Sequence, residues 1–384
     1  MERGYIHVEV DTCQIPKRPE APCGDLVLCE RTSASTTVLL CDGLGSGIRA
    51  SIAANMASAR LLALRRRGYS LRGAVTSLVR TMAEAKGTDL PYAAFTVACV
   101  LNDGVATCLS YECPPPILVT QRYAQALQPR SVTLEGGVVS EASFHLSPGE
   151  GFLLVSDGIT QAGLGAGYPR GWGIEGVAKH VSECLRDRVR LHDLPQRVLS
   201  QACRLSRGIA GDDCTAALAY CRRGSTVNIL TGPPADPAND SAVVKRFLLM
   251  EGVKIVCGGT TAQVVARVLG RKVTLEEHPE SLLAPPCYRI EGIDLVTEGA
   301  VTLNQIYNVL DEDPSAFAEV SAVTDLHALV TAADRVNILM GGAVNPATSD
   351  ISFRQKGILT RRAIIPLLAR RLEDAGKLVV VEHV

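Results

Sequence analysis

The sequence predicts an α+β domain whose helices cover the faces of a sheet, followed by a smaller three-layer α/β domain with a mainly parallel sheet. Three observations predict it. Short apolar runs of strand length fill the first part of the chain as hairpins, without strict strand-helix alternation. Two stretches of helical periodicity interrupt them between residues 48 and 82. Beyond about residue 223 strand and helix patterns alternate, the signature of a parallel sheet. At 384 residues the chain exceeds what one core usually serves, so two domains are expected, 1–222 and 223–384.

In order, strands are expected at Leu26 to Cys29, Thr37 to Cys41, Ala94 to Leu101, Val105 to Tyr111, Ile117 to Thr120, Phe152 to Val155 and Thr215 to Tyr220, each an apolar run rich in β-branched residues or Leu. Ile48, Ile52, Met56, Ala59 and Ala63 fall on one helical face, as do Leu71, Val75, Leu78, Val79 and Met82. This predicts a helical hairpin packed on the sheet through those two stripes. Gly68 ends the first helix and Ser70 caps the second. A helix-rich stretch, Ile174 to Ser206, precedes the last strand. The turn-rich segment Thr231 to Pro237 lies just past the domain change at Cys221 to Gly224. Strands then follow at Val227 to Leu230, Val253 to Cys257, Val336 to Met340 and Leu378 to Val381, with helices at Ser241 to Met250, Thr261 to Leu269 and Thr360 to Ala375. The tetrapeptide Val-Asn-Ile-Leu occurs at both Val227 and Val336, and shared strand preference accounts for it without a true repeat.

The charges nearly cancel, 39 Lys and Arg against 40 Asp and Glu, so no field draws in nucleic acid or anionic lipid. The first residues show no basic segment followed by an apolar core, and the apolar runs are too short to span a bilayer, which makes a cytoplasmic protein the expectation. Thirteen cysteines, an odd number set mostly within strand-like runs, read as small buried hydrophobes in a reducing compartment. With no C-x-x-C pair and seven scattered histidines, zinc and iron-sulfur sites have no support, so any metal must be held by oxygen.

Four acidic turns sit at strand ends: Gly24-Asp25, Asp42-Gly43, Asp157-Gly158 and Asp212-Asp213. Singly, Asp-Gly after a strand is a turn signal. Together, several strand-end carboxylates without histidine or thiol partners describe a hard-cation site suited to Mg²⁺ or Mn²⁺. In Val38-Leu-Leu-Cys-Asp42-Gly43 and Phe152-Leu-Leu-Val-Ser-Asp157-Gly158 the glycine beside the carboxylate is read as leaving room for a metal or its water to reach the backbone.

These motifs, in the order Cys-Gly-Asp25, Cys-Asp42-Gly43-Leu-Gly-Ser-Gly, Tyr-Glu-Cys-Pro114-Pro-Pro, Val-Ser-Asp157-Gly158-Ile and Gly211-Asp212-Asp213-Cys-Thr, resemble those of the type 2C metal-dependent serine/threonine phosphatases, in the bacterial branch typified by the sporulation stage II phosphatase E. The resemblance spans residues 20 to 220 and implies a phosphatase-type β-sandwich flanked by helices. It further implies hydrolysis of phosphoserine or phosphothreonine in a partner protein, and two Mn²⁺ or Mg²⁺ ions, or three, that activate a water. Asp42 would bridge two ions, Asp157 and Asp212 would complete one site, and Asp25 with the Gly43 carbonyl would hold the other, Asp213 being a further neighbour. Tyr111-Glu112-Cys113 departs from the family's usual Asn-Ala-Gly-His before the prolines, which bears on substrate recognition. In the same branch the hairpin after Asp42 acts as a switch.

In the second domain, Val253 to Cys257 runs through Gly258-Gly259-Thr260-Thr261 into a helix, a turn whose N-H groups suit a small anionic ligand, although a plain capped turn explains the same residues. Asp294 to Glu298 and Gly341-Gly342 are expected beside it at the sheet's C-terminal edge, which would make the domain regulatory. The alternative reading of the whole chain is a catalytically weak phosphatase-fold signalling module whose second domain senses that anion.

Overall fold

Alternation of apolar and polar residues from Ile6 to Ile15 builds the first strand, β1, one of the elements that the apolar-run criterion passes over. The computed structural model describes residues 5–208, 211–276, 287–313, 317, 321–343 and 357–384. The chain divides into two compact units, Ile6–Arg223 and Gly224–Val384, with Tyr5 grouped with the second.

In the first unit, β1 is followed by β2 (Asp25–Arg31), β3 (Ser35–Gly43), helices α1 (Ile48–Arg66) and α2 (Leu71–Ala85), and the strands β4 (Ala93–Leu101) and β5 (Val105–Tyr111). Then come β6 (Ile117–Val119), β7 (Ala124–Ala126), β8 (Arg130–Leu134), β9 (Gly137–His145) and β10 (Gly151–Val155). A single turn α3 (Asp157–Thr160), helices α4 (Ile174–Arg186) and α5 (Leu194–Leu205), and β11 (Cys214–Arg223) complete the unit. The strands form a six-stranded sheet, β2-β3-β4-β5-β9-β8, and a five-stranded sheet, β1-β11-β10-β6-β7. Val8, Val38, Leu40, Val100, Phe152, Leu154 and Ala219 form one core drawn from strands of both sheets. Residues of α1 and α2 share a second core with the six-stranded sheet, and residues of α4 and α5 share a third with the other. The result is the expected helix-flanked sandwich.

The two helices of the hairpin differ from each other in how well periodicity reads them. α2 buries Val75, Leu78, Val79 and Met82 as expected, and Ser70 caps it by accepting from the Gly73 N-H at 3.1 Å. For α1 the expected face is the wrong one: Ile48, Ile52, Met56, Ala59 and Ala63 are exposed, and Ala50, Ala53, Ala54, Ala57, Leu61 and Leu62 are buried. A helix that lies this close to a sheet needs small residues at the contact. A Cβ added to Gly43, at the end of β3, would fall onto the Ala50 carbonyl.

The second unit contains β12 (Thr226–Thr231), α6 (Asp240–Leu249), β13 (Val253–Cys257), α7 (Gly259–Leu269), β14 (Thr274–Glu276), β15 (Cys287–Arg289), β16 (Leu295–Thr297), α8 (Ala300–Val309), α9 (Ala322–Ala332), β17 (Arg335–Met340), α10 (Arg361–Asp374) and β18 (Leu378–His383). Their order in the sheet is β14-β15-β16-β13-β12-β17-β18. Pairing is parallel from β16 to β18 and antiparallel through β14 and β15. One apolar cluster joins the sheet to α8, α9 and α10, and another joins it to α6 and α7, which gives the three layers. The repeated tetrapeptide has a structural place: Val227 pairs with Val336, Asn228 with Asn337, Ile229 with Ile338 and Leu230 with Leu339. The Asn337 amide donates to Asn228 Oδ1 at 2.8 Å inside the sheet.

Candidate functional site

Asp25 opens β2 and Asp42 lies near the end of β3, and antiparallel register sets the two directly opposite each other. Asp157 begins α3 just after β10, and Asp212 precedes β11, the neighbouring strand. That junction is fixed by Ser156, whose N-H donates to the Thr215 carbonyl at 3.0 Å and whose Oγ accepts from the Thr215 N-H at 2.9 Å. The motif order in sequence thus becomes a gathering of carboxylates from four strand ends.

Asp213 does something else. Its Oδ1 accepts from the Lys17 N-H at 2.8 Å and its Oδ2 from the Gly24 N-H at 3.0 Å, and the residue is buried. It clamps the segment that delivers Asp25, holding Lys17 and Gly24 to the start of the last strand. The glycines also read differently from expectation. A Cβ on Gly158 would fall onto the Asp213 carbonyl, as one on Gly43 would onto Ala50. Both glycines let protein backbones abut, and the space beside them is filled by the chain itself.

The electrostatics are those of an uncompensated acidic cluster. Burial pushes the Asp25 carboxyl up to about 7, reinforced by the neighbouring Asp213 and Asp157. Burial, then Asp25, Asp157 and Asp212, push Asp42 up to about 9. Asp157 is also raised, by burial first and Asp212 second, while Gln161 Nε2 donates to its Oδ2 at 2.8 Å. Both Asp25 oxygens are buried without a hydrogen-bond donor. An orphaned buried carboxylate is costly unless a cation meets it. The donor set, all carboxylate oxygen, fits a hard divalent ion. As the side chains stand, no three His, Cys, Asp or Glu residues among those described are grouped tightly enough to grip an ion.

Residues not singled out by sequence reasoning support the site. Gln14 on β1 donates to the Asp25 carbonyl at 3.2 Å and to Thr215 Oγ1 at 3.0 Å, and Lys17 Nζ lies 4.0 Å from Asp212. The alternation of β1 was the available signal for Gln14. At the departure from the usual family pattern, Glu112 takes a left-handed conformation, φ 53°. Its carboxylate accepts from Lys86 Nζ at 2.6 Å and from the Tyr92 hydroxyl, tying the end of α2 to the start of β4.

In the second unit the C-terminal ends of β12, β13, β16 and β17 do share one edge: the Gly258 N-H donates to the Thr297 carbonyl at 2.8 Å and the Gly341 N-H to the Thr231 carbonyl at 2.9 Å. Asp294 is not among them. It pairs through its backbone and carboxylate with Lys254, ahead of the strand ends. Thr261 is buried and its hydroxyl accepts from the Gly232 N-H at 2.9 Å, so it fastens two loops together; Gly258 is a left-handed joint, and Gly259 and Thr260 begin α7. Arg361, at the start of α10, donates to the Gly341 and Ala343 carbonyls at 2.7 and 2.6 Å and fills the space beside Gly232. These contacts fasten Thr261 and Arg361 into the edge, while Thr260 is exposed and nothing stands within 4 Å of a Cβ added to Gly259.

Among the described residues no helix is long and apolar enough to cross a membrane. The family model of stage II sporulation protein E matches residues 32–222. No curated protein matches the sequence. Among solved structures, the RsbU and RsbW domains of a Mycobacterium tuberculosis protein are 19% identical over 69% of this chain and 70% of that one, with a TM-score of 0.49. The phosphatase domain of SpoIIE from Bacillus subtilis with a fragment of its regulatory domain is 17% identical over 58% and 65%, with a TM-score of 0.49. A structure of RsbX in complex with magnesium is 15% identical over 56% and 96%, with a TM-score of 0.41.

Proposed function

The first unit belongs to the stage II sporulation protein E family of type 2C protein phosphatases, and from that premise we propose that the chain hydrolyses phosphoserine or phosphothreonine in a partner protein with Mn²⁺ or Mg²⁺ at the aspartate cluster. The observation that carries the reading is the meeting of Asp25, Asp42, Asp157 and Asp212 at strand ends, with both Asp25 oxygens buried and unpartnered. In this reading Asp42, Asp157 and Asp212 would hold one ion, and Asp42, Asp25 and the Gly43 carbonyl would hold a second. Bound divalent cations supply Lewis acidity toward water and phosphoryl oxygens. The chain's own part is to fix the carboxylates from rigid strand ends, through the Asp213 clamp and the Ser156-Thr215 bonds.

The test is release of phosphate from p-nitrophenyl phosphate and from a phosphoserine peptide, with Mn²⁺, with Mg²⁺ and with chelator. Turnover that needs the cation and disappears in Asp42→Asn supports the reading. Turnover that survives chelator, or a variant with near-wild-type rate at saturating Mn²⁺, removes the metal assignment.

A further inference from the structure

The misjudged face of α1 leaves an apolar stripe that the described chain does not cover. Leu44, Ile48, Ile52 and Met56 are 73%, 68%, 48% and 57% exposed. Helical residues advance by about 100° each, so Ile48, Ile52 and Met56 fall within an arc of about 80°, opposite the buried Ala50, Ala54, Ala57 and Leu61. One exposed apolar side chain means nothing, but a contiguous row of four is a surface of the kind that meets a partner.

Two further observations say what that partner is. The stripe starts at Leu44, the residue after Gly43, and therefore begins at the aspartate cluster and runs away from it. A protein seated on it presents its adjoining segment to the site. Second, between Gly43 and Glu84 the sequence holds seven arginines and no acidic residue. Arg66, Arg72 and Arg80 are paired with Glu30, Glu141 and Glu135. Arg49 and Arg60 have no carboxylate partner among the described residues, and at about 100° per residue both border the stripe on the same side.

We propose that the stripe Leu44, Ile48, Ile52 and Met56, with Arg49 and Arg60 along its border, docks the phosphoprotein substrate through an amphipathic helix whose apolar residues cover the stripe and whose acidic residues meet the two arginines. The proposal rests on the phosphatase reading and adds to it a recognition surface outside the reacting centre. Burial of apolar anchors supplies the affinity, and the arginines fix orientation and speed encounter.

The experiment uses the full chain and two synthetic peptides. Each carries one phosphoserine joined to a Leu and Glu segment, amphipathic in one and scrambled in the other. The expected result is a kcat/KM about tenfold higher for the amphipathic peptide, carried by KM, since tenfold corresponds to only about 1.4 kcal/mol. In Ile52→Gln/Met56→Gln the ratio between the peptides falls to near one while the melting temperature holds. Arg49→Glu/Arg60→Glu shifts preference toward a peptide with Lys in place of Glu. Equal kcat/KM for the two peptides in wild-type protein that turns over p-nitrophenyl phosphate overturns the docking proposal alone. A fall from dimer to monomer mass in Ile52→Gln/Met56→Gln overturns it in favour of contact between copies. Loss of all cation-dependent turnover in the wild type overturns the phosphatase reading and this proposal together.

Discussion

At Gly43 and Gly158 the missing side chain matters through what stands in its place, the Ala50 and Asp213 carbonyls. Gly43→Ala and Gly158→Ala are each expected to destabilise by about 1–3 kcal/mol, because backbone must move to admit a methyl group. Gly259→Ala, with nothing within 4 Å of its added Cβ, is expected to be neutral within about 0.5 kcal/mol. Urea unfolding of the three variants separates close packing from open space. At Asp42, whose carboxyl burial and its acidic neighbours push up to about 9 in the absence of metal, the substitution to Asn keeps the volume and replaces a largely protonated carboxyl that faces Asp25 across the ladder. Metal-free melting temperature should hold or rise, the rise on adding Mn²⁺ should shrink, and turnover should fall at least about a hundredfold, as expected for a lost metal ligand. Thermal shift with and without Mn²⁺ checks the first two, and p-nitrophenyl phosphate the third. The identities of these aspartates were readable because strand ends followed by glycine are conspicuous. The clamp role of Asp213 was not, since it depends on Lys17 and Gly24 arriving from far away in sequence.

Between elements, the best-defined polar tie is Glu141 on β9, whose carboxylate is 8% exposed and accepts from Arg72 of α2 at 2.9 and 2.8 Å and from Arg130 of β8 at 3.0 and 2.7 Å. Burial pushes its pKa up, but the Arg72 and Arg130 bonds outweigh it and leave the carboxyl below 4.5. A folded-state pKa below the unfolded value gives stability that is present above about 4.5 and lost as the pH falls through the depressed value. Glu141→Gln should cost about 2 kcal/mol at neutral pH and flatten the acid limb of the stability curve below that point. Denaturant titrations from pH 7 to pH 3 measure both. Element identity was legible wherever large apolar residues run together, as in β3, β4, β10 and β13. It failed for β8 and β9, in which polar residues interrupt the apolar ones, and for β7, only three residues long. The face of α1 failed for a packing reason: large residues dominate periodicity, but Ala50, Ala54 and Ala57 are what allow close approach to β3. The same reason leaves Ile48, Ile52 and Met56 free for the docking role proposed above.

Across the whole chain, the two units have separate cores, and β11 passes to β12 through only Gly224 and Ser225. Residues 1–223 expressed alone should fold and retain cation-dependent turnover of p-nitrophenyl phosphate within about twofold, since independent cores are what define folding domains. An insoluble fragment would mean that the second unit completes the first. The alternating pattern made the class of the second unit legible, but its antiparallel edge β14-β15 and helices α8 and α9 were not, because their apolar runs are short and interrupted. Two neighbouring strands, β12 and β17, carry the same four residues: Val227, Ile229, Val336 and Ile338 fill one apolar cluster, Leu230 and Leu339 another, and the two asparagines pair between them. Native connectivity joins them across 109 residues, a slow closure compared with encounters between chains at high concentration. Nothing in Val-Asn-Ile-Leu itself distinguishes a strand from its twin in a neighbouring molecule. Refolding Gly224–Val384 should therefore yield strand-exchanged dimers whose share rises with protein concentration, measurable by size-exclusion chromatography. Changing one copy alone, with Asn337→Val, should make the two strands non-equivalent and lower that share.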